Sequence, residues 1–274
     1  MKKLFTCIFL MTFLACFSLA QDLKVIDEKP FVLGVTHTVR SVELSENRNL
    51  NIYLPEGYSK DLKESYPVIY LLDGSADEDF IHIAGLVQFS NFPWVNILPK
   101  SILVGIENVD RKRDFTFPTR NEKDKKDFPT TGGSAKFISF IEKELQPFIE
   151  KKYRTNSSKM IIGQSFGGLL ATEILFKKPE LFNSYIIVSP SLWWDDQSLL
   201  SIEKKTLKNK KSIYIAVGKE GDIMEKDARR LHTLLEERKQ ANVQIRFEYF
   251  PDENHATIFH QAVYKAFQNF NLKD

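Results

Sequence analysis

The sequence predicts an α/β fold in which a mostly parallel central sheet is covered by helices on both faces. Three observations carry this. Continuous apolar runs at 67–72, 101–106, 185–188 and 213–217 read as strands buried on both sides. Stretches with helical spacing separate them, and strands alternating with helices build a parallel sheet. Finally, Gly163-Gln164-Ser165-Phe166-Gly167 stands between an apolar run and a helical pattern, the setting of a strand that turns sharply into a helix around a nucleophilic serine.

The glycines in that motif have a steric reason. A sharp strand-to-helix turn forces the serine into a strained backbone conformation, and its neighbours two residues away must lack side chains for the two elements to pass. The turn lifts the hydroxyl clear of the sheet and aims the helix N-terminus at negative charge forming beside it. Ser165 is therefore the expected nucleophile.

Taken in order, residues 35–44 alternate apolar and polar and read as a half-buried strand near a sheet edge. Residues 50–54 repeat the alternation and stop at Pro55. The buried strand 67–72 ends in Asp73-Gly74-Ser75. Phe80, Ile83, Ala84, Val87 and Phe89 then suggest a helical face closed by Pro93. After the strand 101–106, residues 107–132 show no period and carry Arg111, Arg113, Arg120, Lys123, Lys125 and Lys126. A long aperiodic segment inside a compact domain reads as a solvated loop, or as a lid or wall of a binding site, with Arg111 and Arg113 offered to anionic groups of a substrate. Phe137, Ile138, Ile141, Leu145, Phe148 and Ile149 mark a long amphipathic helix that tolerates Pro147 or is kinked by it. Beyond Ser165, the loop after strand 185–188 holds Trp193 and Trp194, which either pack or floor a pocket for an aromatic group. A helix around Ala228, Leu231, Leu234 and Leu235, an alternating strand at 243–250 and a last helix around Ile258, Ala262, Val263 and Phe267 complete the pattern. There is no repeat and no linker, so residues 21–274 read as one domain.

A serine hydroxyl needs a base beside it, itself oriented by an acid. In this kind of fold the order is Ser, acid, His, each on a loop at the carboxyl end of a strand. His37 and His82 precede Ser165, and His232 and His260 fall inside helical patterns. His255 alone lies in a loop between the last strand and the last helix, where a base belongs. The acid should follow the strand 213–217, where Gly218-Lys219-Glu220-Gly221-Asp222 offers two carboxylates. Asp is the better helix N-cap, which favours Glu220 as the acid and leaves Asp222 the alternative; Asp195 and Asp196 are more remote choices. The oxyanion donors should be the backbone N–H of Phe166 and that of Ser75 or Gly74. No HExxH motif or histidine pair at ligand spacing suggests a metal, and no cofactor is expected.

Composition narrows the class. The chain has 274 residues, 43% hydrophobic and 27% charged, enough for a sizeable core. Its formal charge of +2 gives no nucleic-acid footprint. Lys2 and Lys3, the apolar stretch 4–14 and Ser18-Leu19-Ala20 before Gln21 read as an export signal over residues 1–20, too short for a stable membrane span. Both cysteines, Cys7 and Cys16, lie inside it, so the exported chain has no disulfide. Lipidation at Cys16 is the competing reading.

Several segments taken together resemble the esterase D family of α/β-hydrolases, in its siderophore-esterase branch similar to IroE and BesA. They are Asn51-Ile52-Tyr53-Leu54-Pro55, the run from Tyr66 to Gly74, Gly163-Gln164-Ser165-Phe166-Gly167-Gly168, Ser189-Pro190-Ser191-Leu192-Trp193-Trp194 and Glu253-Asn254-His255-Ala256. The resemblance implies an α/β-hydrolase fold, Ser165 as nucleophile, His255 as base, Glu220 as acid and Ser75 as oxyanion donor. It also implies an ester substrate, small or glycan-linked, of siderophore, hydroxycinnamoyl or acetyl type. The alternatives are an acyltransferase of the same fold and a non-catalytic binding module that kept the hydrolase fold.

Overall fold

In a computed structural model, residues 23–59, 63–202, 207, 210–237 and 241–270 are described. The chain divides into two units, Met1–Val32 and Leu33–Asp274. Of the first, residues 23–32 carry neither helix nor strand. The export signal at 1–20 and Cys16 lie outside the described residues. All elements below belong to the second unit.

Among the described residues the sheet has eight strands: β1 (Val35–Arg40), β2 (Asn47–Tyr53), β3 (Tyr66–Leu71), β4 (Ile102–Ile106), β5 (Thr155–Gln164), β6 (Ser184–Val188), β7 (Lys211–Gly218) and β8 (Val243–Phe250). Their order is β1-β2-β4-β3-β5-β6-β7-β8. β1 pairs antiparallel with β2 and β2 antiparallel with β4, while every other pair is parallel. The helices are α1 (Phe80–Ser90), α2 (Arg111–Phe115), α3 (Glu122–Asp127), α4 (Ser134–Phe140), α5 (Gln146–Lys152), α6 (Phe166–Lys177), α7 (Trp194–Gln197, a short left-handed turn), α8 (Asp222–Glu236) and α9 (Ile258–Asn269).

Alternation along the buried strands splits the core in two. Val68 and Tyr70 join Leu169, Leu170 and Ile174 of α6 and Leu231 of α8 on one face. Ile69 and Leu71 join Ile83 and Val87 of α1 and Ile258 and Val263 of α9 on the other. The chain runs from β3 outward to β4, then returns past β3 to β5, so the strand order reverses between β3 and β5. In parallel sheets the crevice beyond the strand ends at such a reversal is where ligands bind. Asp73-Gly74-Ser75 and Ser165 follow the carboxyl ends of those two strands.

Three expectations need correcting, and a fourth gains detail. The alternation at 35–44 does not stay a strand beyond Arg40, because Ser41 and Glu46 close a turn and the Glu144 carboxylate accepts from the N–H groups of Val42 and Glu43. Phe89 is 43% exposed and off the core stripe of α1, which runs through Phe80, Ile83, Ala84 and Val87. Segment 107–132 is not structureless: it folds into α2 and α3, each too short to show a period, and buries Asp114, Phe115 and Thr116. Around Pro147, a π turn at Ile141–Leu145 joins α4 to α5, and the N–H of Gln146 reaches back to the Ile141 carbonyl. The widened turn accommodates a proline that has no N–H and crowds the preceding turn.

Candidate active site

At the end of β5, Ser165 holds φ +59° and ψ −119°, a conformation costing a non-glycine residue about 1–3 kcal/mol. The fold compels it. The N–H of Ser165 donates to the Val188 carbonyl, while its own carbonyl starts α6 by accepting from Leu169. A Cβ on Gly163 would come within 2.5 Å of the Gly167 carbonyl oxygen, so only glycine lets strand and helix pass there. Phe166 is the first residue of α6, and an N–H at that position has no acceptor within the helix.

Across the crevice, the two oxyanion candidates after β3 are distinguished by their partners. The N–H of Gly74 donates to the Ile106 carbonyl at 3.0 Å. Among the described residues, that of Ser75 meets only a long 3.4 Å contact with Glu78 Oε2. Ser75 is thus the residue whose N–H remains available to a ligand.

Glu220 and His255 come from loops after β7 and β8, and these loops are stitched together by Lys219 N–H donating to the Glu253 carbonyl at 2.7 Å. His255 Nδ1 lies 2.6 Å from Glu220 Oε2. The Glu220 side chain is 3% exposed. Its other oxygen accepts from Gly218 N–H at 2.9 Å and from the Ser189 hydroxyl. Burial alone would push this carboxyl up, but the hydrogen bonds from His255, Ser189 and Gly218 outweigh it and hold the carboxyl below the usual glutamate range. Asp222 is elsewhere, 85% exposed and paired with Lys226. Nor is it the N-cap expected from its residue type. Gly221 takes that position, and Glu225 accepts from the N–H groups of Glu220 and Gly221.

Ser165 Oγ lies 3.2 Å from Ser191 Oγ, and among the described residues it makes no hydrogen bond to His255. His255 is nonetheless tied to the elbow, because the Gln164 side-chain amide donates to its carbonyl at 2.5 Å. Catalytic hydrogen bonds of this type commonly tighten only around substrate. The other histidines lie elsewhere: His37 meets the Tyr153 hydroxyl at 2.7 Å, the rings of His82 and His260 stack at 4.3 Å, and His232 packs near Phe247.

The residues expected to touch substrate divide. Arg111 donates to both oxygens of Asp73, at 2.6 and 2.9 Å, and to the Gln164 carbonyl at 3.2 Å. Arg113 donates to Asp114 and to both oxygens of Glu46. Each guanidinium is therefore engaged by the protein's own carboxylates instead of being free for an anionic substrate. Trp194 is 0% exposed and donates its indole N–H to the Phe117 carbonyl, so it underlies the site as packing. Trp193 is half-buried against Phe166 and Phe128, and Lys112 Nζ lies 5.3 Å from the centre of the Phe128 ring. Asp195 and Asp196 clasp the segment before α3, accepting from Thr119, the Arg120 N–H and Asn121. Among the described residues, no group of three or more His, Cys, Asp or Glu side chains is arranged to hold a metal.

Asp73, Gln164, Ser189 and Ser191 are site residues that sequence reasoning missed. The signal was available for the last two, since Ser189-Pro190-Ser191 lies at the end of the strand beside the elbow strand.

A strained serine at the strand-order reversal of an α/β sheet, with a buried glutamate bonded to an exposed histidine on the loops after β7 and β8, defines a serine hydrolase with the α/β-hydrolase fold. A family model described as "Putative esterase" matches residues 41–269, and the chain belongs to that esterase family. Ferri-bacillibactin esterase BesA of Bacillus subtilis (strain 168) is 30% identical over 245 residues, covering 81% of this chain and 84% of its own. An IroE-like serine hydrolase from Shewanella oneidensis has TM-score 0.76 and 31% identity, over 86% of this chain and 79% of its own. The BES protein of Bacillus cereus has TM-score 0.76 and 26% identity, over 90% of this chain and 98% of its own. The protein is an esterase.

Proposed function

We propose that this esterase works through a Ser165–His255–Glu220 triad and hydrolyses siderophore-type esters. The observation that carries the triad is the 2.6 Å contact of Glu220 Oε2 with His255 Nδ1, in a loop that the Gln164 amide ties to the elbow. With Nδ1–H held by Glu220, the other ring nitrogen is left unprotonated and accepts the Ser165 proton as Oγ attacks the ester carbonyl carbon. The carbonyl electron pair moves onto oxygen, and the N–H groups of Phe166 and Ser75 receive that charge. Collapse expels the alcohol, which takes the proton back from His255. Water then repeats the sequence on the acyl-enzyme and releases the acid.

For the substrate, the similarity to a ferri-bacillibactin esterase supports an iron-chelating ester. The half-exposed Trp193 and Phe128, with Lys112 against the latter, suit an aromatic acyl group carrying negative charge. Hydroxycinnamoyl esters share that chemistry and are the second class to test.

The test is turnover of a ferric catecholate trilactone, a feruloyl sugar ester and p-nitrophenyl butyrate, each beside Ser165→Ala. Preference for the trilactone, lost in the variant, supports the reading. Turnover of p-nitrophenyl butyrate alone would refute the substrate class while leaving the triad standing. Export is proposed on the N-terminal pattern of Lys2, Lys3, the apolar 4–14 and Ser18-Leu19-Ala20. Intact-mass analysis of the exported protein should find a chain beginning at Gln21, and a lipidated mass at Cys16 would replace that reading.

A further inference from the structure

The Ser189-Pro190-Ser191 turn touches both ends of the proposed proton path and has no role so far. Ser189 is 0% and Ser191 2% exposed, so both hydroxyls are removed from water. The Ser189 hydroxyl donates to Glu220 Oε1, the oxygen that does not face His255. The Ser191 hydroxyl lies 3.2 Å from Ser165 Oγ, and the Ser191 N–H donates to the Ser165 carbonyl at 3.0 Å. One turn therefore holds the acid through one serine and the nucleophile through the other.

The turn is rigid enough for that task. Ser189 has φ +42° and donates its N–H to the Ala216 carbonyl on β7 at 2.7 Å. Pro190 has a restricted φ and sits against α6, where a Cβ on Gly168 would lie 3.0 Å from its Cα. Buried polar groups that are fully satisfied fix one arrangement of a site.

Each end of the path needs fixing. A glutamate has one more rotatable bond than an aspartate, so its carboxylate needs a second anchor to keep Oε2 on His255. The Ser165 hydroxyl must turn toward the base. When Ser191 donates to Ser165 Oγ, it occupies a lone pair of that oxygen and leaves the Ser165 proton free for His255.

We propose that Ser189 and Ser191 are paired positioning residues, Ser189 fixing Glu220 against His255 and Ser191 orienting the Ser165 hydroxyl for attack. This rests on the triad reading above. In the reaction Ser191 forms and breaks no covalent bond: the Ser165 proton goes to His255, and Oγ bonds to the carbonyl carbon.

Steady-state kinetics with p-nitrophenyl butyrate test this on the full chain, with Ser165→Ala and His255→Ala as references and thermal unfolding as the check of folding. Misplacing a reacting group by about 1 Å costs on the order of 100-fold. Ser191→Ala should lower kcat by about 10- to 100-fold with KM unchanged, and Ser191→Thr, which keeps the hydroxyl, should recover most of it. Ser189→Ala should lower kcat and move the acid limb of the kcat/KM profile to lower pH, because the protonated His255 loses a carboxylate held in place. A purely structural role would not move that limb. If both alanine variants keep wild-type kcat and acid limb, or lose activity only in proportion to the unfolded fraction, the proposal fails while the triad stands. If Ser165→Ala or His255→Ala remains active, the triad reading fails and the proposal with it.

Discussion

Arg111 grips Asp73 through both carboxylate oxygens and at the same time donates to the carbonyl of Gln164, the residue before the nucleophile. One guanidinium thus ties the loop carrying Ser75 to the elbow carrying Ser165, and Asn108 adds a hydrogen bond to Asp73 at 2.7 Å. Asp73 itself holds φ +56°, a conformation that needs such support.

This arrangement predicts that Arg111→Ala acts on geometry and not on substrate charge. Activity should fall by about 10-fold or more through kcat, equally for anionic and neutral esters. Stability should fall by roughly 1–3 kcal/mol, since Asp73 keeps other partners but loses a charged hydrogen-bonding one. Parallel kinetics on a carboxylated and a neutral p-nitrophenyl ester check this. A loss confined to the anionic ester would return Arg111 to a substrate-binding role.

The two tryptophans should separate. Trp194→Ala opens a cavity beneath Phe166 and Phe128 and should cost about 3–5 kcal/mol in denaturant unfolding. Trp193→Ala should leave stability closer to wild type and raise KM for aromatic acyl esters more than for aliphatic ones. Equal KM changes for the two ester types would remove Trp193 from the binding surface.

Arg48 and Asp114 form a buried ion pair that Arg113 and Glu46 extend. Asp114→Ala leaves the buried Arg48 guanidinium short of a carboxylate and should destabilise by roughly 3–5 kcal/mol, read from urea midpoints. A shift near zero would mean that Glu46 alone satisfies Arg48.

Glu220 supplies a pH dependence with a defined sign. Its carboxyl is held below the usual glutamate value of 4.5 in the folded state, so the unfolded chain takes up the proton first as pH falls. Its stabilising contribution is complete above that value and disappears as pH drops through the lowered folded value. The melting temperature of the wild type should therefore fall more steeply below about pH 4.5 than that of Glu220→Gln. The same variant should lose roughly 100- to 10,000-fold in kcat, whereas Asp222→Asn should not differ from wild type.

What was legible in the sequence is what local chemistry dictates. The elbow at Ser165 and the parallel strands announce themselves within a few residues, because a sharp strand-to-helix turn demands its own glycines and buried strands demand apolar runs. His255 followed from chain order and a loop position. Glu220 and Asp222 were harder to separate, because two carboxylates so close in sequence differ only in which way the backbone points them. The N-cap reasoning reached Glu220 by an argument the fold does not use, since Gly221 and Glu225 start α8. The pairing of Arg111 was not legible because Asp73 lies on another loop, and a guanidinium seen without its carboxylate looks free. The burial of Trp194 depends on Phe117 and Phe128, from a segment whose short helices leave no periodic trace.

The central claim is that Ser165 is the nucleophile, activated by His255. It is tested most directly by treating the protein with a fluorophosphonate and locating the adduct by peptide mass spectrometry while ester hydrolysis is followed. One adduct per chain is expected, on Ser165, forming in step with loss of activity and slowed by orders of magnitude in His255→Ala. Hydrolysis that survives full labelling of Ser165, or an adduct on another residue, would contradict it.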